Sequence, residues 1–139
     1  TTVNAGTLKV TGGISTMNTL SLGSVAYQQD GSSTSVTLNG VGTGADIKIG
    51  TVGTCTFTLN DGKFEVKTNS AAAGNIGVGA VTTFTQTGGL FSYAPSGGNT
   101  LLNIGVSFTG SATLNLSGGT FQTASNVVES KNPTKQTDR

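Results

Sequence analysis

The chain contains few side chains that could do acid–base chemistry. Its acids before Glu129 are Asp30, Asp46, Asp61 and Glu65, and it contains no His. Two carboxylates such as Asp61 and Glu65 can act as acid and base on a glycoside when they are held at a productive separation. Asp is also an ordinary turn residue, and Glu65 stands between two apolar residues of an alternating run. We therefore expect Asp61 to form a turn, Glu65 to face solvent, and neither to be catalytic.

Cys55 is the one cysteine, so an intrachain disulfide and a Cys/His zinc site are both excluded. It alternates with Thr in an apolar slot, which predicts a buried thiol that no base activates. The calcium-binding repeat G-G-x-G-x-D is absent, and we expect neither a metal nor a cofactor. Seven cations scattered among six anions make no basic patch for nucleic acid. The sequence contains no run of about 18 apolar residues, so we expect no insertion into a membrane.

Threonine pairs form the third candidate site. Thr56 and Thr58 flank one Phe, and Thr83 and Thr85 flank another Phe further along the chain. Successive strand residues point to opposite faces, so hydroxyls in this arrangement are predicted to share an outer face. Such a face offers contacts to a ligand, but Thr is also a favoured outward residue of ordinary strands.

The composition identifies the elements that must carry these residues. The chain has 139 residues, enough for one domain, with 22 Gly, 25 Thr, 14 Ser and 11 Asn. Only 9% of residues are charged, and no charged residue lies between Lys67 and Glu129. Disordered linkers share this polarity, but here Thr, Val, Ile and Phe alternate, which favours strands. An uncharged surface also does not oppose self-association.

Two landmarks recur along the chain. An aliphatic residue followed by Gly recurs in steps of 27, 27 and 28, with its aliphatic members at Leu22, Ile49, Ile76 and Ile104. A Gly placed two positions before a Phe recurs in steps of 27 and 30, in the segments 61–64, 88–91 and 118–121. Leu8 fits this second landmark in place of Phe. Around residues 30–40 the landmark is degenerate, and Asp30-Gly31 or Asn39-Gly40 is expected to supply the turn.

A β-only unit of this length cannot bury its apolar face alone, whereas stacked units can. We therefore predict an all-β fold, a parallel β-solenoid (β-helix) of about five coils with a ~27-residue repeat and no helical caps. Residues 1–125 form the solenoid and residues 126–139 a polar C-terminal tail or linker. A sandwich of antiparallel hairpins explains the alternation but not the period. The predicted inner ladders are Leu22, Ile49, Ile76 and Ile104; Phe57, Phe84 and Leu114; and Phe64, Phe91 and Phe121.

The first eight residues, T-T-V-N-A-G-T-L, resemble the autotransporter-associated β-strand repeat. Residues 1–123 are more loosely similar to longer repeats of large bacterial surface proteins. The resemblance implies a β-helical stalk or passenger that is extracellular or exposed on the bacterial cell surface. The sequence lacks the family's C-terminal membrane barrel, a signal peptide and an initiating Met, so we expect a fragment or a processed product.

Three functional hypotheses remain. The first is a non-enzymatic extracellular structural protein that assembles head-to-tail with itself into a filament or forms a surface stalk, because no capping sequence is evident at either end. The second is an adhesin or ligand-binding module whose Thr-rich face contacts glycan or another carbohydrate. Ranks of T-x-T on a solenoid also resemble the ice-binding face of β-helical antifreeze proteins. The third is a carbohydrate-active enzyme that uses Asp61 and Glu65.

Overall fold

The protein is a parallel β-solenoid of about four turns. The computed structural model describes residues 1–42, 46–98, 100–105 and 110–124 and the backbone of residues 127–129. Every element in these residues is a β-strand, and every paired strand runs parallel to its neighbour. Phe57 pairs with Phe84 in the next coil, one sequence period further on. The predicted all-β parallel solenoid with this repeat is confirmed.

The strands stack into three faces and one small extra sheet. The first face consists of β1 (Thr2–Val10), β3 (Leu20–Gln29), β6 (Thr54–Leu59), β10 (Val81–Gln86) and β14 (Ser111–Leu116). The second face consists of β2 (Ile14–Met17), β4 (Ser35–Leu38), β7 (Lys63–Val66), β11 (Leu90–Tyr93) and β15 (Thr120–Thr123). The third face continues from the start of β3 through β5 (Ile47–Ile49), β9 (Gly74–Ile76), β13 (Leu102–Ile104) and β16 (Val127–Glu129). The two-stranded sheet pairs β8 (Asn69–Ser70) with β12 (Gly97–Gly98).

The core is made of rows of equivalent residues from successive coils. Strand alternation buries every second residue of β6, where Cys55, Phe57 and Leu59 are all 0% exposed. On the first face one row runs through Leu8, Tyr27, Phe57, Phe84 and Leu114. The row of the second face contains Val36, Phe64, Phe91 and Phe121, and that of the third contains Leu22, Ile49, Ile76 and Ile104.

The aromatic rows interlock in the centre of the stack. Phe64 and Phe91 stack at 5.7 Å between ring centroids and 9° between planes. Phe57 stands edge-on to Phe64 across the core, at 5.2 Å and 84°. Aromatic pairs favour these stacked and edge-to-face geometries, which contribute about 0.5–1.5 kcal/mol each beyond the area they bury.

The first coils differ from the repeat that the sequence predicts. Leu8 pairs with Tyr27, so it belongs to the row of Phe57 and not, as expected, to that of Phe64. The first turn is shorter than the later ones, because β1 and β3 run straight through the corner that later coils bend around. Gly23 accordingly lies within β3 and has no positive φ. In the degenerate stretch Gly31 makes the turn, with a φ of 94°.

Glycine at the later corners meets a steric requirement. Gly77 follows β9 with a φ of 70°, in the left-handed region that other residues rarely adopt. A Cβ on Gly77 would also lie 2.5 Å from the backbone oxygen of Ser111 in the next coil. The aliphatic–Gly landmark therefore marks a place where only glycine lets one coil pass closely under the next.

Buried polar side chains join neighbouring coils. Gln29 and Gln86 are both 0% exposed and stand in one inward row. Gln29 Nε2 donates to the backbone oxygen of Lys63 at 2.9 Å, and Gln86 Nε2 donates to that of Thr120 at 2.9 Å. Each amide therefore links the first face of one coil to the second face of the next.

Candidate functional site

The acids of the second face are engaged in local contacts. Asp61 Oδ1 accepts a hydrogen bond of 2.7 Å from the N–H of Gly62, as expected of a turn residue. Glu65 pairs with Lys67 at 3.1 Å, with 22% of its side chain exposed. Within the described residues, no three His, Cys, Asp or Glu side chains group as metal ligands would.

Asp30 forms a polar chain along the edge of the first face. Its carboxylate accepts hydrogen bonds from Asn60 Nδ2 at 2.6 Å and from Gln28 Nε2 at 2.9 Å, and it lies 3.4 Å from Lys9 Nζ. The hydroxyl of Thr87 continues the chain by donating to Asn60 Oδ1 at 2.9 Å. The bond from Asn60 is the main cause that holds the pKa of Asp30 below its usual value. This carboxylate therefore ties coils together.

Asp46 is the buried acid of the chain's described part. It is 3% exposed, its Oδ1 lies 3.8 Å from Lys48 Nζ, and its Oδ2 has no hydrogen-bond partner. Burial raises the pKa of this carboxyl above its usual value, and Lys48 offsets only part of that rise. Lys48 also lines a surface recess together with Thr51, Asn75 and Val78, and no carboxylate, His or Cys lines that recess.

Cys55 is buried, as predicted. Its thiol is free and 0% exposed, and it stands in an inward row with Thr82 and Ala112. Burial raises the pKa of the thiol above its usual value. A raised pKa and the lack of exposure both disfavour the thiolate that a nucleophile requires.

The Thr pairs lie on the outer side of the first face. Thr56 is exposed, and Thr58, Thr83 and Thr85 are partly exposed. Strand register pairs Thr56 with Thr83 and Thr58 with Thr85. The two outer rows run in full through Thr7, Ala26, Thr56, Thr83 and Thr113, and through Lys9, Gln28, Thr58, Thr85 and Asn115. Hydroxyls therefore dominate only the central coils of this face.

The two ends of the stack are the places where the core is incompletely covered. Half-buried apolar side chains cluster there: Val3, Leu8, Val10 and Met17 at the N-terminal end and Ala112, Leu114 and Phe121 at the C-terminal end. Leu116 makes the contrast clear, because it is 51% exposed while Leu59, in the same row, is 0% exposed. The sequence predicts that the ends meet those of another copy, but it does not show which apolar side chains are exposed there.

The end strands that the structure describes pair with a neighbouring strand on one side only. In the described part of the chain, β1 pairs only with β3 and β2 only with β4. At the other end β14 pairs only with β10 and β15 only with β11. A strand with one free edge presents N–H and C=O groups that can pair with another strand.

In the residues that the structure describes, the fold is a parallel β-solenoid with partly exposed apolar side chains and singly paired strands at each end. Searches against protein-family models, curated proteins and solved structures find no match to this chain. In the described residues no helix is long and apolar enough to cross a membrane.

Proposed function

We propose that the chain is a non-enzymatic structural protein that assembles head-to-tail into a filament or a surface stalk. The observation that carries the proposal is the exposure of Leu116, an inward residue at the C-terminal end whose counterpart Leu59 is fully buried. In this proposal β1 with β2 and β14 with β15 are the outermost of five coils, and neither end has a helical cap. The resemblance of residues 1–8 to a surface-protein repeat supports an extracellular or cell-surface location.

The two ends match because they belong to the same rows. Stacking the N-terminal end of a second copy on β14 sets Leu8 over Leu114 and Val10 over Leu116, by the register that already links β1 to β3. Fully burying an aliphatic side chain contributes about 1.5–3 kcal/mol. The contact repeats from copy to copy without closing, which is the geometry of a filament.

Backbone and charge favour the same contact. The free edges of β14 and β15 align with those of β1 and β2, so each junction adds two parallel strand pairs. Residues 111–124 carry no charge, and Lys9 is the one charged residue of β1 and β2, so no like charges oppose each other.

Light scattering and electron microscopy on the purified chain test the proposal. We expect fibres of constant width whose mass grows with concentration. Leu116→Asp should prevent growth, because it places a carboxylate in the buried junction. Thr113→Asp is the matched control, since it adds the same charge to the outer side of the same strand. A compact monomer at high concentration would contradict the proposal.

The Thr rows of the first face favour a second candidate function, an adhesin or ligand-binding surface for glycan. Its observation is that four hydroxyl residues of adjacent coils, Thr56, Thr58, Thr83 and Thr85, stand in register on one side of a sheet. Glycan-array binding that is lost in the double variant Thr56→Val and Thr83→Val, with the fold retained, would favour it. Thr16→Val, an exposed threonine of the second face, is the control.

A further inference from the structure

We propose that strand β16 occupies part of the assembly site, and that the N-terminal strand of a second copy displaces it when the chain polymerises. The inference rests on the proposed head-to-tail assembly and concerns its regulation. The partner is a second copy of this chain, and the contested position is the free edge of β13.

Register places β16 and the start of β1 at equivalent ladder positions. On the third face Ile104 pairs downward with Ile76 and upward with Glu129. At the other end of the same row Val3 pairs with Leu22, which pairs in turn with Ile49. Val3 and Glu129 therefore hold the two end positions of one row of paired residues. Val3 pairs with Leu22 at one end of the row, and Glu129 pairs with Ile104 at the other.

A following copy cannot complete its first strand while β16 is in place. If its Leu8 lies over Leu114, the continuous strand β1 carries its Val3 over Ile104, at the register position that Glu129 already holds. One continuous strand can cover two separate strands of the neighbouring coil, as β3 does within this chain. It pairs with β5 at Leu22 and with β6 at Tyr27. Strand β1 can cover β13 and β14 in the same way only after β16 has left.

The exchange favours β1 because it pairs over a longer span. Strand β16 pairs over three residues, whereas β1 extends over nine and would reach β13 and β14 together. A strand that pairs over more residues forms more backbone hydrogen bonds, so a second copy replaces a short pairing with a longer one.

In the isolated chain β16 pairs the edge of β13 and so removes it as a template. The release of β16 then becomes a step that every junction must pass. This step delays assembly at low concentration and leaves the outer edge of β14 as the first point of contact between copies.

The variant Val128→Pro tests the step, because proline removes a strand N–H and fixes φ at a value that a paired strand resists. We expect a critical concentration for assembly about tenfold lower than that of the unsubstituted chain, the change that corresponds to a loss of about 1.4 kcal/mol of competing pairing. Val128→Thr, which retains a β-branched residue, is the matched control and should assemble as the unsubstituted chain does.

A disulfide test reports the exchange directly. In a Cys55→Ala background, Thr2→Cys and Asn103→Cys should cross-link successive copies, since Thr2 of the incoming strand takes the register position that Val128 holds against Asn103. Neighbouring strands lie about 4.8 Å apart, within the range that a disulfide spans. Thr2→Cys with Asn75→Cys, one coil further from the junction, is the control and should not cross-link.

The outcomes separate the two proposals. Faster assembly of Val128→Pro with cross-linking between positions 2 and 103 supports both. Equal assembly of Val128→Pro and the unsubstituted chain, or fibres that never cross-link at these positions, overturns the displacement of β16 and leaves head-to-tail assembly standing. If neither chain assembles at any concentration, head-to-tail assembly itself is wrong, and the displacement fails with it.

Discussion

The rings of Phe57 and Phe84 lie 4.8 Å apart and are within 7° of parallel, although a full coil of chain separates them in sequence. Tyr27 extends the same stack, with its ring centroid 4.4 Å from that of Phe57. Three successive coils therefore each add one ring to this column, and Leu8 and Leu114 continue the row at its two ends.

Truncating an aromatic ring in the middle of the stack should be far more damaging than truncating one in its last coil. Phe57→Ala removes a ring that is 0% exposed and contacts rings on both sides, so we expect a loss of about 3–5 kcal/mol in the free energy of unfolding. Phe121→Ala removes a half-buried ring of the last coil and should cost clearly less. Denaturant unfolding at a concentration that keeps the chain monomeric measures both, and equal losses would contradict the described packing.

The corner glycine Gly77 predicts a second asymmetry. Gly77→Ala forces a side chain into a positive-φ position and within 2.5 Å of the Ser111 backbone oxygen. We expect it to destabilise the fold by more than about 1 kcal/mol. Gly12→Ala is the control, because no atom lies within 4 Å of its Cβ and its φ is not positive. Thermal unfolding of the two variants should separate them, and a Gly77→Ala chain as stable as the control would argue against a tight corner.

The buried amide of Gln86 predicts a third effect. Gln86→Leu introduces the residue type that its row already has at Leu59, and it removes the donor to the backbone oxygens of Gly89 and Thr120. Two partly buried hydrogen bonds would be lost, and we expect a loss of about 0.5–1.5 kcal/mol. Thr85→Val, next to it on the outer side, should change stability by less than about 0.5 kcal/mol. If Gln86→Leu were stabilising, the amide would not be a link between coils.

The buried carboxyl of Asp46 predicts a pH effect. Its pKa is raised in the folded chain, so its charged form opposes folding above that pKa and the penalty disappears as the pH falls below the ordinary value. Asp46→Asn should therefore raise the melting temperature at neutral pH and have little effect near about pH 4. Asp30→Asn should do the opposite at neutral pH, because the lowered pKa of Asp30 stabilises the fold until acid protonates it. Identical responses of the two variants would contradict these environments.

The sequence predicts the middle of this fold well because the middle is periodic. Phe57 and Phe84, or Ile49 and Ile76, recur at the length of one coil, and alternation then assigns their direction. The sequence period places Leu8 in the wrong row, because the first turn of the solenoid contains fewer residues than the later ones. A fixed period does not show where a turn is shortened. The pattern also missed Tyr27 and Val36, which fill the aromatic rows where the glycine landmark is absent.

The candidate site was harder to predict from residue types. Rows and their ends look alike in sequence, and only the three-dimensional stack distinguishes Leu116 at 51% exposure from Leu59 at 0%. The links made by Gln29 and Gln86 were not predicted either, because a Gln in an alternating strand does not indicate which backbone oxygen it reaches.

The direction of the backbone hydrogen bonds has a mechanical consequence. In a parallel stack they run from coil to coil, nearly along the long axis of the rod. A pull on its two ends therefore strains the bonds of one coil at a time, and the rod should lengthen by peeling. Each coil would release about 90 Å of extended chain. A tether made of such units yields in steps, absorbing work at each, and does not break at a single threshold.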